Sequence, residues 1–462
     1  MDRAALGLYS ALTWAAQPLL RRKLRRRAVA EPGYALAVEE RFGHYSPAAP
    51  AEPAPSTGPW VWIHAVSLGE TRAAAILLAA LRPRLPGMRL LLTHGTATGR
   101  AEGAKLLQPG DVQVWQPWDT PGAVARFLAQ FQPRLGILME TEVWPCLIAA
   151  CHARGLPLVL ANARLSERSL RQARRMAWLA RPAYAALAAV WAQTEADAQR
   201  LRALGAPVQG VWGNLKFDAV PDAELLAQGR GWRERARRPV VLLASSREGE
   251  EALWLQALQS KRPPGQTGIA QEATDSGASH AQAAALQAVQ WLIVPRHPQR
   301  FDAVQQLLQA AGLSVSRRSQ WGAHPEPADV WLGDSMGEMA LYYGLAHGVL
   351  LGGSFAPLGG QNLIEAAACG CPVVLGPHTF NFAEAAEQAC QAHAALRVPD
   401  MAAAVQRVGA LVQDPPALEA AQAAAQHFAQ SHRGAAQATA EAVLRCLAAH
   451  PPHPGRPRAA GA

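Results

Sequence analysis

The chain has 462 residues, 50% of them apolar and only 17% charged, with a formal net charge of +9. It is too long for one compact core and too apolar for a disordered chain, so two or three globular domains are expected. The positive balance suits an anionic membrane surface or nucleic acid, and six cysteines in so long a chain exclude a disulfide-stapled fold.

The amino terminus is a mostly apolar segment (4–20), interrupted by Gln17 and Pro18, and then the basic run RRKLRRR (21–27). That apolar length is at the lower limit for a membrane span. A cleaved leader carries its charges before the apolar run, and here they follow it. Residues 1–30 are therefore expected to anchor the chain to anionic lipid, spanning or lying in the interface, with the rest on the cytoplasmic side. A buried first helix with a solvated basic end is the alternative. A second basic stretch holds Arg168, Arg171, Arg174, Arg175 and Arg181, for which a solvated helix face suffices.

From Trp60 onward, apolar runs alternate with helical patterns: VWIHA (61–65), RLLLTH (89–94), VQVWQP (112–117), LGILME (135–140), LPLVLA (156–161), AAVWAQT (188–194) and VQGVWG (208–213). This is the signature of an α/β doubly wound parallel sheet, assigned to residues 31–216. A charged linker (217–239) precedes a second series, PVVLLAS (239–245), WLIVP (291–295), VWL (330–332), VLL (349–351) and CPVVLG (371–376), assigned to residues 217–430. Two Rossmann-like domains facing a central cleft are expected. Residues 263–285 read as a mobile polar insertion, and 431–462 as a helical end with a disordered tail.

Polar residues gather where these strands end. After the first comes Ser67, Gly69 and Glu70, although a glutamate in a first helical turn is also explained by the helix dipole. After the second come Gly95, Thr96, Thr98 and Gly99. Glu140 and Glu142 flank Thr141, and strand alternation would put both carboxylates on one side, where paired acids can share a proton, hold a metal or orient hydroxyls. Asn162, Arg164 and Ser166 add polar groups to the same edge, and Lys216 lies at the domain junction. In the second half, Arg296 follows its strand directly. Ser335 with Glu338, and Asn362 with Glu365, have capping-box spacing, and Gly370 closes the second of these helices. Two such helices beyond adjacent parallel strands would aim their free N–H groups into one crevice that suits a phosphate. Walker A, HExxH, GxGxxG and DxD sequences are all missing, and no GxSxG marks a nucleophile elbow, which leaves a two-domain nucleotide-sugar or nucleotide-phosphate enzyme.

In order and spacing, WIHAVSLGE (62–70), THGTATG (93–99), METEVWP (139–145), NARLSERS (162–169), GNLKFD (213–218), VPRHPQRF (294–301), GDSMGEM (333–339) and GGQNLIEAAACGCPVVLGP (359–377) resemble the 3-deoxy-D-manno-octulosonic acid (Kdo) transferases, GT-B enzymes of glycosyltransferase family 30. The resemblance implies inverting transfer of Kdo from CMP-Kdo to the 6'-hydroxyl of lipid IVA, the lipid A precursor, in lipopolysaccharide biosynthesis at the cytoplasmic face of the inner membrane. It implies no cofactor and no metal at the nucleotide. By position, Glu70 is the implied general base, and Glu140 and Lys216 the implied transition-state stabilisers. Pro295, Arg296, Met336, Gly337, Glu338, Asn362, Leu363, Ile364 and Glu365 form the implied CMP site. Ser67, Gly69, Thr96, Glu142, Arg164 and Ser245 are further candidate contacts to donor or acceptor. Arg247 stands where histidine is expected, Gln299 where glutamate is commoner, and the insertion is long. The competing readings are another GT-B enzyme using a UDP-sugar, and a non-catalytic basic binder. Nucleic acid is not the expected partner, because no aromatic-interleaved basic stripe occurs.

Overall fold

The computed structural model describes residues 3–45, 58–259 and 288–451. The insertion at 263–285 and almost all of the tail lie outside the described residues. The chain divides into two compact units, Met1–Asp218 with Arg433–Ala462, and Ala219–His432.

In the first unit, β1 (Trp60–His64), β2 (Arg89–His94), β3 (Val112–Trp115), β4 (Leu135–Met139), β5 (Leu158–Ala163), β6 (Ala189–Ala192) and β7 (Val208–Val211) form one parallel sheet in the order β3-β2-β1-β4-β5-β6-β7. Strand periodicity sends alternate residues to opposite faces, and each face has its own core. Val61, Ile63, Leu90, Leu92, Leu135 and Ile137 pack on one side. Trp62, Leu91 and Leu138 pack on the other, where the Trp62 and Phe127 rings meet edge-on at 5.0 Å. The helices covering these faces include α3 (Leu68–Leu81), α4 (Ala97–Gly103), α5 (Pro121–Phe131), α6 (Pro145–Ala153), α7 (Glu167–Arg175), α8 (Ala177–Ala185) and α9 (Glu195–Arg202). The amino terminus is two helices, α1 (Arg3–Ala15) and α2 (Gln17–Ala30). Among the described residues, no helix is long and apolar enough to cross a membrane.

The second unit holds α10 (Ala223–Arg235), β8 (Val240–Ser246), α11 (Glu250–Gln259), β9 (Gln290–Pro295), α12 (Phe301–Ala310), β10 (Val315–Arg317), β11 (Val330–Leu332), α13 (Met339–Leu345), β12 (Gly348–Leu351), α14 (Leu363–Ala368), β13 (Val373–Leu375), α15 (Ala383–Gln391), β14 (Ala395–Arg397), α16 (Met401–Val412) and α17 (Pro415–Ser431). Its parallel sheet runs β10-β11-β9-β8-β12-β13-β14. The strands before the two glycine-rich motifs, β11 and β12, are thus separated by β9 and β8. The expectation that they are neighbours is corrected: consecutive strands of a doubly wound sheet part company where the winding reverses, and the reversal falls between β8 and β12.

Two further differences concern the ends of this unit. The stretch read as a linker is mostly α10, which packs closely on α13: a Cβ on Gly229 would stand 2.1 Å from the Leu341 carbonyl oxygen, and one on Gly344 would stand 2.6 Å from that of Leu226. The last helix, α18 (Ala435–Ala449), belongs to the first unit and packs on α3 with Ala440 and Val443 in its core. Its start is capped from a distance, because Asp218 accepts from the N–H groups of Gly434 at 2.6 Å and Ala436 at 2.7 Å.

Gly229→Ala should test the α10–α13 contact. Helix propensity alone would favour alanine by about 1 kcal/mol. Overpacking against a backbone oxygen costs about 1 to 3 kcal/mol. Denaturant unfolding should therefore show net destabilisation, whereas Gly231→Ala, where nothing lies within 4 Å, should be neutral or stabilising.

Candidate active site

The first unit builds its site at the carboxyl ends of β1, β4 and β5. Ser67 is the N-cap of α3, and Glu70 completes a reciprocal capping box: the Glu70 N–H donates to Ser67 Oγ at 3.4 Å, while the Glu70 carboxylate accepts from Val66 N–H at 2.8 Å and from the Ser67 hydroxyl at 3.0 Å. Burial pushes the Glu70 pKa up to about 7, and the charges of Glu140 and Glu142 add to the rise against the pull of Val66 and Ser67. Gly69 sits in the first turn of this helix. A carboxylate with a pKa near neutrality, held by two donors, is poised to take a proton.

Glu140 lies 3.6 Å from Lys216 Nζ and 4.0 Å from Arg164 Nη1. Simple alternation does not place the two acids, because Glu140 has φ 58 and leaves the extended conformation. Its backbone still bridges to β5, donating to Ala161 O at 3.0 Å and accepting from Arg164 N at 3.2 Å. Glu142 is raised by burial first and by Glu140 second, and its Oε2 lies 4.0 Å from Nε2 of the buried His64. Burial drives the His64 pKa down to about 3, so its ring is neutral. Asn162 is a positioning residue: its Oδ1 accepts from Leu215 N–H at 3.0 Å, fixing the turn that carries Lys216. Thr96 caps α4 by accepting from Gly99 N–H at 3.2 Å, and its hydroxyl donates to Val66 O at 2.8 Å. Ser166 likewise caps α7.

In the second unit, Ser245 has φ 53 near the end of β8, and Pro295 ends β9. Arg296 N–H donates to Ser246 O at 3.0 Å and its Nε to Gln361 Oε1 at 3.3 Å, joining it to the approach to Asn362. Asn362 is an N-cap as expected, accepting from Ile364 N–H at 3.1 Å. Leu363 and Ile364 are buried, so their side chains serve the core, while Glu365 is half-buried. Gly370 closes α14 with both Schellman bonds, from Cys371 N to Ala366 O at 3.0 Å and from Gly370 N to Ala367 O at 2.9 Å.

The other motif differs from its expected form. Ser335 bonds the side chains of Glu338 and Tyr342, but α13 starts only at Met339, with Glu338 as N-cap and without a side-chain cap. Glu338 is instead paired with Arg318 at 2.8 Å, Met336 is exposed, and Gly337 takes φ 85. Arg247 pairs with its neighbour Glu248 at 2.9 Å, and Gln299 is exposed.

Sequence reasoning missed two groups. Glu250 is fully buried, and its carboxylate accepts from the N–H groups of Arg247 at 2.8 Å, Gly353 at 2.7 Å and Phe355 at 3.0 Å. It thereby stitches the loop after β8 to the loop after β12, where the winding reverses. In sequence it is only one more acid in a first helical turn. The second group surrounds Arg41: Arg41, Gln116 and Trp118 lie outside the motifs, and His64 lies in WIHAVSLGE without any local sign of a site residue.

The two seven-stranded parallel units and the solved structures they resemble define a GT-B glycosyltransferase fold. Those structures include Anabaena HepE in complex with UDP, at TM-score 0.54 and 15% identity over 84% of this chain and 100% of that chain. A glycosyltransferase from Rickettsia africae ESF-5 gives TM-score 0.53 and 12% identity over 85% and 99%. Residues 37–219 match the family model described as 3-deoxy-D-manno-octulosonic-acid transferase (kdotransferase). The 3-deoxy-D-manno-octulosonic acid transferase of Bordetella pertussis is 46% identical over 95% of this chain and 98% of its own, and that of Haemophilus influenzae 32% over 93% and 96%. The chain belongs to the 3-deoxy-D-manno-octulosonic acid transferase family.

The Glu70 environment sets a pH dependence. If its ionised form is the active one, log(kcat/KM) should fall with unit slope below about pH 7. Glu142→Gln removes a neighbouring negative charge, so that limb should move to lower pH in a pH–rate profile. Stability should run the other way, because a raised folded-state pKa stabilises below the ordinary carboxylate range and that gain is lost as pH rises through about 7.

Proposed function

We propose that this transferase moves Kdo from CMP-Kdo to a hydroxyl of lipid IVA with inversion, with Glu70 as general base. The observation that carries the reading is the half-buried Glu70 carboxylate, with its pKa near 7, in a chain of this family. In the proposed step, Glu70 takes the proton of the attacking acceptor hydroxyl as the new glycosidic bond forms and the bond to the CMP phosphate breaks. The sugar acquires oxocarbenium character, which the Glu140 carboxylate favours, while Lys216 holds Glu140 in place at 3.6 Å. Arg296 and the backbone around Gly337 and Asn362 are proposed to hold the nucleotide, whose phosphate gains charge on leaving. No metal takes part in the proposal, so chelation with EDTA should leave the rate unchanged.

The same reading places the enzyme at the cytoplasmic face of the inner membrane. α1 packs on α6 and α8 and leaves Leu8 57%, Leu12 62% and Trp14 69% exposed, with Met176 and Trp178 exposed at the start of α8. Exposed arginines of α2 and α7 lie along the same stretches of chain. An apolar surface edged with cations suits an anionic bilayer. Co-sedimentation with anionic vesicles should be strong, and Leu12→Glu with Trp14→Glu should weaken it; equal sedimentation of wild type and variant would remove this role.

Glu70→Gln separates catalysis from capping, because glutamine also serves at the third position of a capping box. CMP release and acceptor mass shift, assayed with CMP-Kdo and lipid IVA, should fall by about 10² to 10⁴ with CMP affinity unchanged. Unchanged turnover in the variant would refute Glu70 as base. A wild type that binds CMP but transfers nothing would redirect the search to another donor, a UDP-sugar first.

A further inference from the structure

Beside the Glu70 turn, the first unit holds a cavity of about 180 Å³ lined by Arg27, Arg41, His64, Val66, Gln116 and Trp118, among others. Among the described residues, the buried polar atoms of this lining without a hydrogen-bond partner include Arg41 Nε, His64 Nε2, Gln116 Oε1 and Trp118 Nε1. Buried polar groups are almost always satisfied, and several left open around one cavity mark a place for a polar occupant.

The charges narrow the occupant. Arg41 is only 4% exposed. Its Nη2 donates to Gly95 O at 3.0 Å and its guanidinium lies 3.9 Å from the centre of the Trp115 ring, and among the described residues no carboxylate comes within ion-pair distance of it. The adjacent Glu40 is already taken, by Arg100 at 2.8 Å and the Trp115 N–H at 2.8 Å. Burial pulls the Arg41 pKa down to about 10, yet the group stays cationic at neutral pH. A buried cation without a counter-ion is costly, and water satisfies its N–H without balancing its charge. Two donors, Arg41 Nε and Trp118 Nε1, therefore call for an anionic oxygen. Gln116 Oε1 calls for a hydroxyl, and His64, held through Nδ1 by Thr93 Oγ1 at 2.9 Å, offers one further polar nitrogen 4.0 Å from Glu142. Water takes up about 30 Å³ per molecule, so the cavity has room for a ring-sized group and not merely one bridging water.

The lining is preorganised. Trp118 N–H donates to Arg41 O at 2.7 Å, and the N–H groups of Gly95 and Thr96 both donate to Val66 O, at 3.2 and 3.0 Å. Val66 is also the residue whose N–H holds Glu70, so the cavity and the proposed base share one backbone segment.

We propose that the Arg41 cavity is a binding subsite for a hydroxylated sugar bearing an anionic group, seated next to the reacting hydroxyl or anomeric carbon. The subsite's place in the reaction rests on the function proposed above; its ligand chemistry does not. Two sources share that chemistry, the sugar acid of the donor and a phosphorylated sugar of the acceptor.

Ligand-observed NMR on the full chain, with no turnover required, separates them. Free Kdo, glucosamine 1-phosphate and inorganic phosphate are titrated against wild type, Trp118→Phe, Gln116→Leu and Arg41→Lys. Trp118→Phe keeps the ring and removes one N–H, so it guards against simple misfolding, with far-UV circular dichroism and CMP affinity as controls. Binding of one of the two sugars, weakened about three- to tenfold in Trp118→Phe and Gln116→Leu, supports the subsite and names its source. The proposal is overturned if neither sugar binds, if the variants bind as wild type does, or if phosphate alone binds as well as the sugars. Binding that persists in a protein inactive with CMP-Kdo would sink the proposed reaction and leave the subsite standing.

Discussion

The junction between β1 and α3 holds the first unit's chemistry in place. There one carboxylate, that of Glu70, closes the first turn of a helix and faces two other acids. Its two donors, Val66 N–H at 2.8 Å and Ser67 Oγ at 3.0 Å, favour the ionised form. Burial, Glu140 and Glu142 oppose it and win, which is why its pKa settles near 7 and not in the ordinary carboxylate range. A solvated first-turn glutamate would keep an ordinary pKa, so the partial burial of this sheet edge is what gives a common helix cap a protonation equilibrium near neutral pH.

The strands and their order along the chain were legible because each is an apolar run ended by polar or glycine residues. Two lines of residues escaped that reading for physical reasons. β10 (Val315–Arg317) and β14 (Ala395–Arg397) are three-residue edge strands, VSR and ALR, that each end in arginine and so form no apolar run, unlike the equally short β11 and β13. The neighbours of β11 and β12 are set by the reversal of winding, which no local pattern encodes. At the site, Ser67, Glu70 and Asn362 could be read because capping has a fixed local spacing. Arg41, His64, Gln116 and Trp118 could not, since what they share is one buried polar atom each with no partner among the described residues, a property that exists only once distant segments have packed.

Glu250 shows how the second unit solves a similar problem without chemistry. A carboxylate that is fully buried is destabilised as an anion, and burial raises its pKa. Four backbone donors at 2.7 to 3.3 Å repay that by pinning Arg247, Gly353, Phe355 and Ala356. Those residues belong to the loops after β8 and β12, the two strands between which the winding reverses and where open α/β sheets bind their ligands. Nearby, Glu251 holds Arg300 by two bonds, at 3.0 and 2.7 Å, and Arg300 also reaches Ser246 O at 3.2 Å. Both acids of the GEE sequence thus fix backbone at one sheet edge, which leaves the polar surface of that edge free to be shaped by Ser245 and Arg296.

Backbone strain marks the same edges. Glu140, Asn162 and Ser245, with φ of 58, 51 and 53, are left-handed residues at or near the ends of β4, β5 and β8. Asparagine tolerates this region, but glutamate and serine pay about 1 to 2 kcal/mol for it. At Glu140 the ladder to β5 survives on both sides of the residue while its side chain leaves the strand's alternating pattern, so the carboxylate can meet Lys216 and still raise the pKa of Glu70. The left-handed backbone at Glu140 thus coincides with the one strand end where an acid meets Lys216 and acts on Glu70, which is where strained residues gather in functional sites.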